Sequence, residues 1–149
     1  MQRITQETVE NWPRELGDFA GAWAVSRRVD DRLAGQVVQA EGQVVLKPGD
    51  GGDLIYDEVL SLHIPGRAAM KATRRYLWRS DDEGIRVCFD DGRFFHRITL
   101  GAAESADTHD CPPDLYAGRY DFSRWPHWSA EWKVSGPRKD YVMTTVFMR

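Results

Sequence analysis

From Phe19 onward the chain is a succession of period-two runs broken by turn residues. Side chains on an extended strand alternate between two faces, so repeated alternation commits a chain to an all-β domain. The runs are Phe19–Asp30, Gly35–Lys47, Leu54–Ile64, Ala68–Arg79, Ile85–Phe89, Arg93–Leu100, Leu115–Ser123, Trp128–Ser135 and Tyr141–Arg149. Between them lie KPGDGGD, Pro65-Gly66, SDDEG, the hairpin signal Asp91-Gly92, and SGPRKD. The segment GAAESADTHDCPPD reads as one longer loop. Ahead of the runs, Thr5 to Leu16 is expected to form one short helix, capped by Thr5 and limited by Pro13.

A meander of this kind either packs as a sandwich or closes on itself. A sandwich wants an aliphatic inner face. Here Arg74, Tyr76 and Trp78 share one face of their strand. Tyr56, Glu58, Leu60 and Leu62 share a face of the preceding one, and Tyr116, Tyr120 and Phe122 a face of a later one. Aromatic faces with embedded charges suit the inside of a closed antiparallel barrel with a partly polar cavity, built from about nine or ten strands.

At 149 residues the chain fits one domain, 1–149, large enough for a real core. A net charge of −3 argues against a general nucleic-acid binder. In RRYLWR the strand period sends Arg74, Tyr76 and Trp78 one way and Arg75 and Arg79 the other, which breaks up any basic stacking surface. No apolar run approaches the roughly 18 residues of a membrane-spanning helix, so no membrane insertion is expected. The first residues lack an apolar signal core, and Cys88 and Cys111 read as free thiols, so a cytoplasmic location is expected. Six tryptophans in so short a chain must fill or line something.

The segment GDFAGAWAV, with Trp23 two residues after Gly21, resembles the G-x-W entry of the calycin superfamily of lipocalins, fatty-acid-binding proteins and nitrobindin-like barrels. The resemblance implies a calycin-like β-barrel in which the Trp plugs the closed end and a cation from the last strand packs on its indole. Arg149 is available as that cation. Over nearly its full length the chain also resembles a family of small bacterial proteins grouped only as a domain of unknown function. That likeness rests on GAWAVSRRVDDR, LIYDE, ATRRYLWR, FDDGRFFH, HDCPPDLYAGRYDF and WKVSGPRKDYVMTT.

His96, His109, Cys111 and Asp114 are of metal-ligating type, but H-x-C with one distant His is not a zinc spacing. They are expected instead to form hydrogen bonds that fix the long loop at the barrel mouth, and neither metal nor cofactor is expected. Nitrobindin-like barrels hold haem through a His near the C-terminus, and this chain has none after His127. GPRKDY does not match a P-loop and reads as a solvated hairpin turn that holds Lys139.

The reading that results is a barrel binding a small amphipathic ligand with an acidic end. Tyr56, Tyr76, Trp78, Tyr120 and Trp132 supply aromatic wall, and Arg74, Glu58, His96 and Lys139 supply orientation. Glu58 is expected to pair Arg74 when the cavity is empty. The alternatives are an enzyme using the His96–His109–Cys111 corner for acid-base or thiol chemistry, and a filled barrel serving as a partner-binding module.

Overall fold

The structure, a computed structural model, describes residues 11–149. Ten strands follow one another: β1 (Gly21–Asp31), β2 (Gln36–Pro48), β3 (Leu54–His63), β4 (Met70–Asp81), β5 (Gly84–Phe89), β6 (Phe94–Ile98), β7 (Glu104–Cys111), β8 (Asp114–Asp121), β9 (Trp128–Gly136) and β10 (Lys139–Met148). They form one antiparallel sheet in the order β6-β5-β4-β3-β2-β1-β10-β9-β8-β7. Each strand pairs with its neighbour in sequence except β6 with β7, and β1 also pairs with β10, from Ala24 opposite Met148 to Asp31 opposite Tyr141. The sheet curls into a nearly closed barrel.

The one seam without a backbone ladder lies between β6 and β7. Side chains bridge it. The Arg97 N–H donates to Asp107 at 2.8 Å and the Thr99 N–H to Ser105 Oγ at 2.8 Å. β7 itself corrects the expected loop at GAAESADTHDCPPD. Its residues are small, polar or acidic and carry little strand propensity. The segment is extended because β8 supplies partners from Glu104 opposite Asp121 to Cys111 opposite Asp114.

The helix expected over Thr5–Leu16 is the second correction. Residues 5–10 of it lie outside the described residues, and residues 11–15 are not helical. Among the described residues the only helical turns are short 3-10 segments at Leu16–Phe19 and Asp50–Gly52. Asp18 closes the first, its carboxylate accepting from the Arg14 and Glu15 N–H groups at 2.8 and 3.1 Å. No helix among the described residues is long and apolar enough to cross a membrane.

The turn delivers Phe19 and Trp23 into one end of the barrel, where both are fully buried. Phe19 sits edge-on to Trp78, Trp125 and Trp128 at 5.2, 5.0 and 5.3 Å. The Trp23 indole N–H donates to the Phe19 carbonyl at 2.9 Å. The Arg149 guanidinium carbon lies 3.8 Å from the Trp23 ring centre, and its two terminal nitrogens donate to the carbonyls of Ala20 at 2.7 Å and Asp18 at 2.9 Å. Gly21 is required on two counts. Its φ of +113° disfavours any side chain, and a Cβ there would stand 3.3 Å from the Arg149 guanidinium.

Candidate functional site

Strand alternation that buries Trp23 and Val25 also turns Arg27 and Val29 inward from β1. With the inner faces of β3, β4, β5, β6, β8, β9 and β10 they line a cavity of about 370 Å³. It runs from Trp78 and Trp128, beside the Phe19 plug, to Leu62, Ala72 and Arg74 at the far end of the barrel. Of the residues the sequence singles out for ligand contact, Tyr56, Glu58, Arg74 and Tyr76 line it, as do Trp78, His96, Tyr120 and Trp132. Lys139 is not in its wall. Its ammonium donates to the Tyr116 hydroxyl at 2.8 Å and pairs with Asp114 at 3.1 Å on a half-exposed surface, and these two partners raise its pKa.

A buried ionic cluster is built into the cavity wall. Arg27 donates to both Glu58 oxygens, at 2.9 and 2.6 Å, and through Nε to Thr145 at 2.8 Å. Tyr56 adds a third donor to Glu58 at 2.9 Å. Burial works against the Arg27 charge, yet the Glu58 carboxylate outweighs it and holds the guanidinium above its ordinary value. The phenol of Tyr56 is pushed well up, first by burial and then by the Glu58 charge. Glu58 is therefore the partner of Arg27, not of Arg74 as expected. The physical reason is competition, not register. Glu58 and Arg74 stand directly opposite each other on β3 and β4, but the buried Arg27 fork occupies both Glu58 oxygens, and the Arg74 side chain runs to the Tyr76 hydroxyl instead. Arg27 was the residue sequence reasoning missed. Its signal was available, since it shares the face of Trp23 and Val25.

Arg74 is left without a carboxylate among the described residues. It donates to the Tyr76 hydroxyl at 2.9 Å and sits 5.8 Å above that ring. Tyr76 raises its pKa, offsetting partial burial. Arg74 is exposed and stands where the cavity meets solvent.

On β6, two strands from β4, His96 is 3% exposed and shares a 2.8 Å hydrogen bond between Nε2 and the Tyr120 hydroxyl. Phe95 and Trp132 flank its ring edge-on at 4.5 and 4.7 Å. Burial, with repulsion from His109 as a lesser cause, pushes its pKa down to about 3. Burial likewise drives the Tyr120 phenol upward. Both groups are neutral at ordinary pH.

The His–Cys corner does not assemble as a cluster. His109 packs edge-on against Phe95 at 5.3 Å and near Phe89 at 5.9 Å. Cys111 is exposed at the β7–β8 turn, and Asp114 goes to Lys139. Among the described residues no three His, Cys, Asp or Glu side chains group so as to hold a metal ion. The loop these residues were expected to anchor is itself strand β7.

A family described as a family of unknown function, DUF6314, matches residues 19–149. No curated protein matches the chain. A solved structure from Nostoc punctiforme, a protein of unknown function from the DUF3598 family, superposes with a TM-score of 0.57 at 12% identity. The match covers 97% of this chain and 52% of that one, so the chain spans about half the length of this neighbour. At that identity the likeness speaks for the barrel alone.

Proposed function

The chain belongs to the DUF6314 family of unknown function, and from its cavity we propose that it binds a small amphipathic molecule with an acidic end. One observation carries the reading. Arg27, the other cavity arginine, is fully answered by Glu58, whereas Arg74, across from Glu58 on the next strand, has a phenol as its hydrogen-bond partner and a guanidinium fork that no carboxylate occupies. A guanidinium whose fork is not occupied by a carboxylate is a ready site for one. The aromatic wall formed by Tyr56 stacked on Trp78 at 5.7 Å, with Trp128 stacked on Phe147 at 3.7 Å, supplies apolar area for the rest of the molecule. A volume of about 370 Å³ holds a small ligand rather than a large cofactor.

The test is a comparison of an acid with its neutral amide. Medium-chain acids should quench or shift the tryptophan fluorescence on binding. Arg74→Ala should weaken the acid by at least about tenfold and the amide by no more than about twofold. Equal losses would remove Arg74 from the role. No binding across a broad amphiphile panel would leave a partner-binding barrel as the better account.

A further inference from the structure

Two buried side-chain polar atoms among the described residues find no hydrogen-bond partner in the protein: the Trp128 indole nitrogen and His96 Nδ1. Both belong to residues lining the cavity, and Trp128 is 2% exposed. Buried polar groups are almost always paired, because an unpaired one forfeits its hydration for nothing. The contrast with Trp23, whose indole N–H reaches a carbonyl at 2.9 Å, shows that this chain can satisfy a buried indole where nothing else is at stake.

We infer that the ligand carries a second polar group, a keto or hydroxyl oxygen, at the end remote from its acid, and that Trp128 and His96 receive it. The inference rests on the acid-binding reading for the orientation of the molecule. An indole N–H only donates, so its partner must be an acceptor oxygen. His96 has one nitrogen engaged by Tyr120. The other donates or accepts according to tautomer, so a ketone meets one form and a hydroxyl meets both. Trp128 lies beside Trp78, with ring centres 6.2 Å apart. Arg74 is four residues along β4 from Trp78, about 13 Å of extended strand. The two anchors therefore stand at opposite ends of the cavity, the separation of a medium-length chain.

The probes are decanoic acid, its counterpart with an oxo group one carbon from the far end, and the neutral methyl ketone of matched length. An oxo group opposes transfer out of water, so a preference for it has to come from hydrogen bonds made inside. The oxo acid should bind about tenfold more tightly than decanoic acid. Trp128→Phe keeps a ring on Phe147 and removes the N–H, and His96→Leu removes the second group. Either should bring the ratio of the two affinities toward one, a readout that packing changes common to both ligands do not move. Circular dichroism confirms that each variant is folded. Equal binding of the two acids by the natural protein overturns the inference and leaves acid binding standing. A ratio unchanged in both variants overturns the assignment to these residues. Binding of the neutral ketone with no binding of either acid overturns the acid reading and supports the deep anchor. No binding of any probe overturns both.

Discussion

In the plug formed by Phe19, Trp23 and Arg149 the polar side-chain groups are answered from the backbone. The indole N–H has the Phe19 carbonyl, and the Arg149 guanidinium has the carbonyls of Ala20 and Asp18 as well as the ring beneath it. Along the cavity wall the same residue types are left open. The Trp128 indole and His96 Nδ1 have no partner, and Arg74 has a phenol instead of a carboxylate. Similar chemistry is closed in the plug and open in the cavity wall that rests on it, in one barrel of one sheet. The difference sets side chains whose polar groups are satisfied within the fold against side chains whose polar groups the fold leaves open, which is the contrast the proposed binding role rests on.

The sharpest way to break this comparison is to truncate a large side chain on each side of it. Trp23 is fully buried and in contact with Trp125 and Trp128 at 5.7 and 5.6 Å. Trp23→Ala should cost about 3–5 kcal/mol in denaturant unfolding, because it removes a large buried surface and leaves a cavity that rigid strands cannot fill. Arg74→Ala, at the open end, should stay within about 0.5 kcal/mol of the natural protein. If the two losses are alike, the Trp23 end is not the structural one.

The fold was legible because alternation is a local signal. The runs around Trp23, Tyr56, Tyr76 and Trp132 reproduce strands β1, β3, β4 and β9 with only boundary differences. β7 was not legible, because Glu104 to Cys111 offers neither β-branched density nor a clean apolar face. Its position at the open seam accounts for that composition. An edge strand is better protected from stray pairing by charge and polarity than by apolar side chains. The cavity wall was legible face by face, which is why Tyr56, Glu58, Arg74, Tyr76 and Tyr120 line one space. Which of them touch was not. The Arg27–Glu58 pair joins β1 to β3 across β2, and no alternation pattern encodes the stagger between strands.

Titration sharpens the comparison next, since the buried His96 lines the cavity. His96 falls from 6.5 to about 3 on folding. Its folded form stays neutral while the unfolded chain takes up a proton below about pH 6.5. Stability should therefore decline as pH drops below about 6.5, at up to about 1.4 kcal/mol per pH unit, and by about 2–3 kcal/mol by about pH 4.5. Further down, Asp57 adds to the loss, because hydrogen bonding from Arg75 holds its carboxyl below the ordinary value. Urea melts across this range should show the decline in the natural protein and a flat profile above about pH 4.5 in His96→Phe. A decline unchanged in the variant would move its origin away from the cavity.

The smallest effect tests the closed end from its rim. Arg149→Gln removes a cation from the face of Trp23 and two donors from the Asp18 and Ala20 carbonyls. A cation over an indole contributes about 0.5–2 kcal/mol, and hydrogen bonds at an exposed edge add little. The loss should be about 1–2 kcal/mol, seen as a fall in Tm of a few degrees. Gly21→Ala should also destabilise, for two separable reasons: the φ of +113°, and the approach of the new methyl to the guanidinium at 3.3 Å. Shortening Arg149 relieves the second reason and leaves the first. The double variant Gly21→Ala/Arg149→Gln should therefore lose less than the sum of the single losses, with a coupling of about 0.5 kcal/mol or more. Strict additivity would mean that Gly21 is needed for its backbone conformation alone and that Arg149 does not depend on the space it leaves. A subadditive result would make the glycine, the indole and the arginine one interlocked unit, closing the end of the barrel behind the cavity floor formed by Trp78 and Trp128.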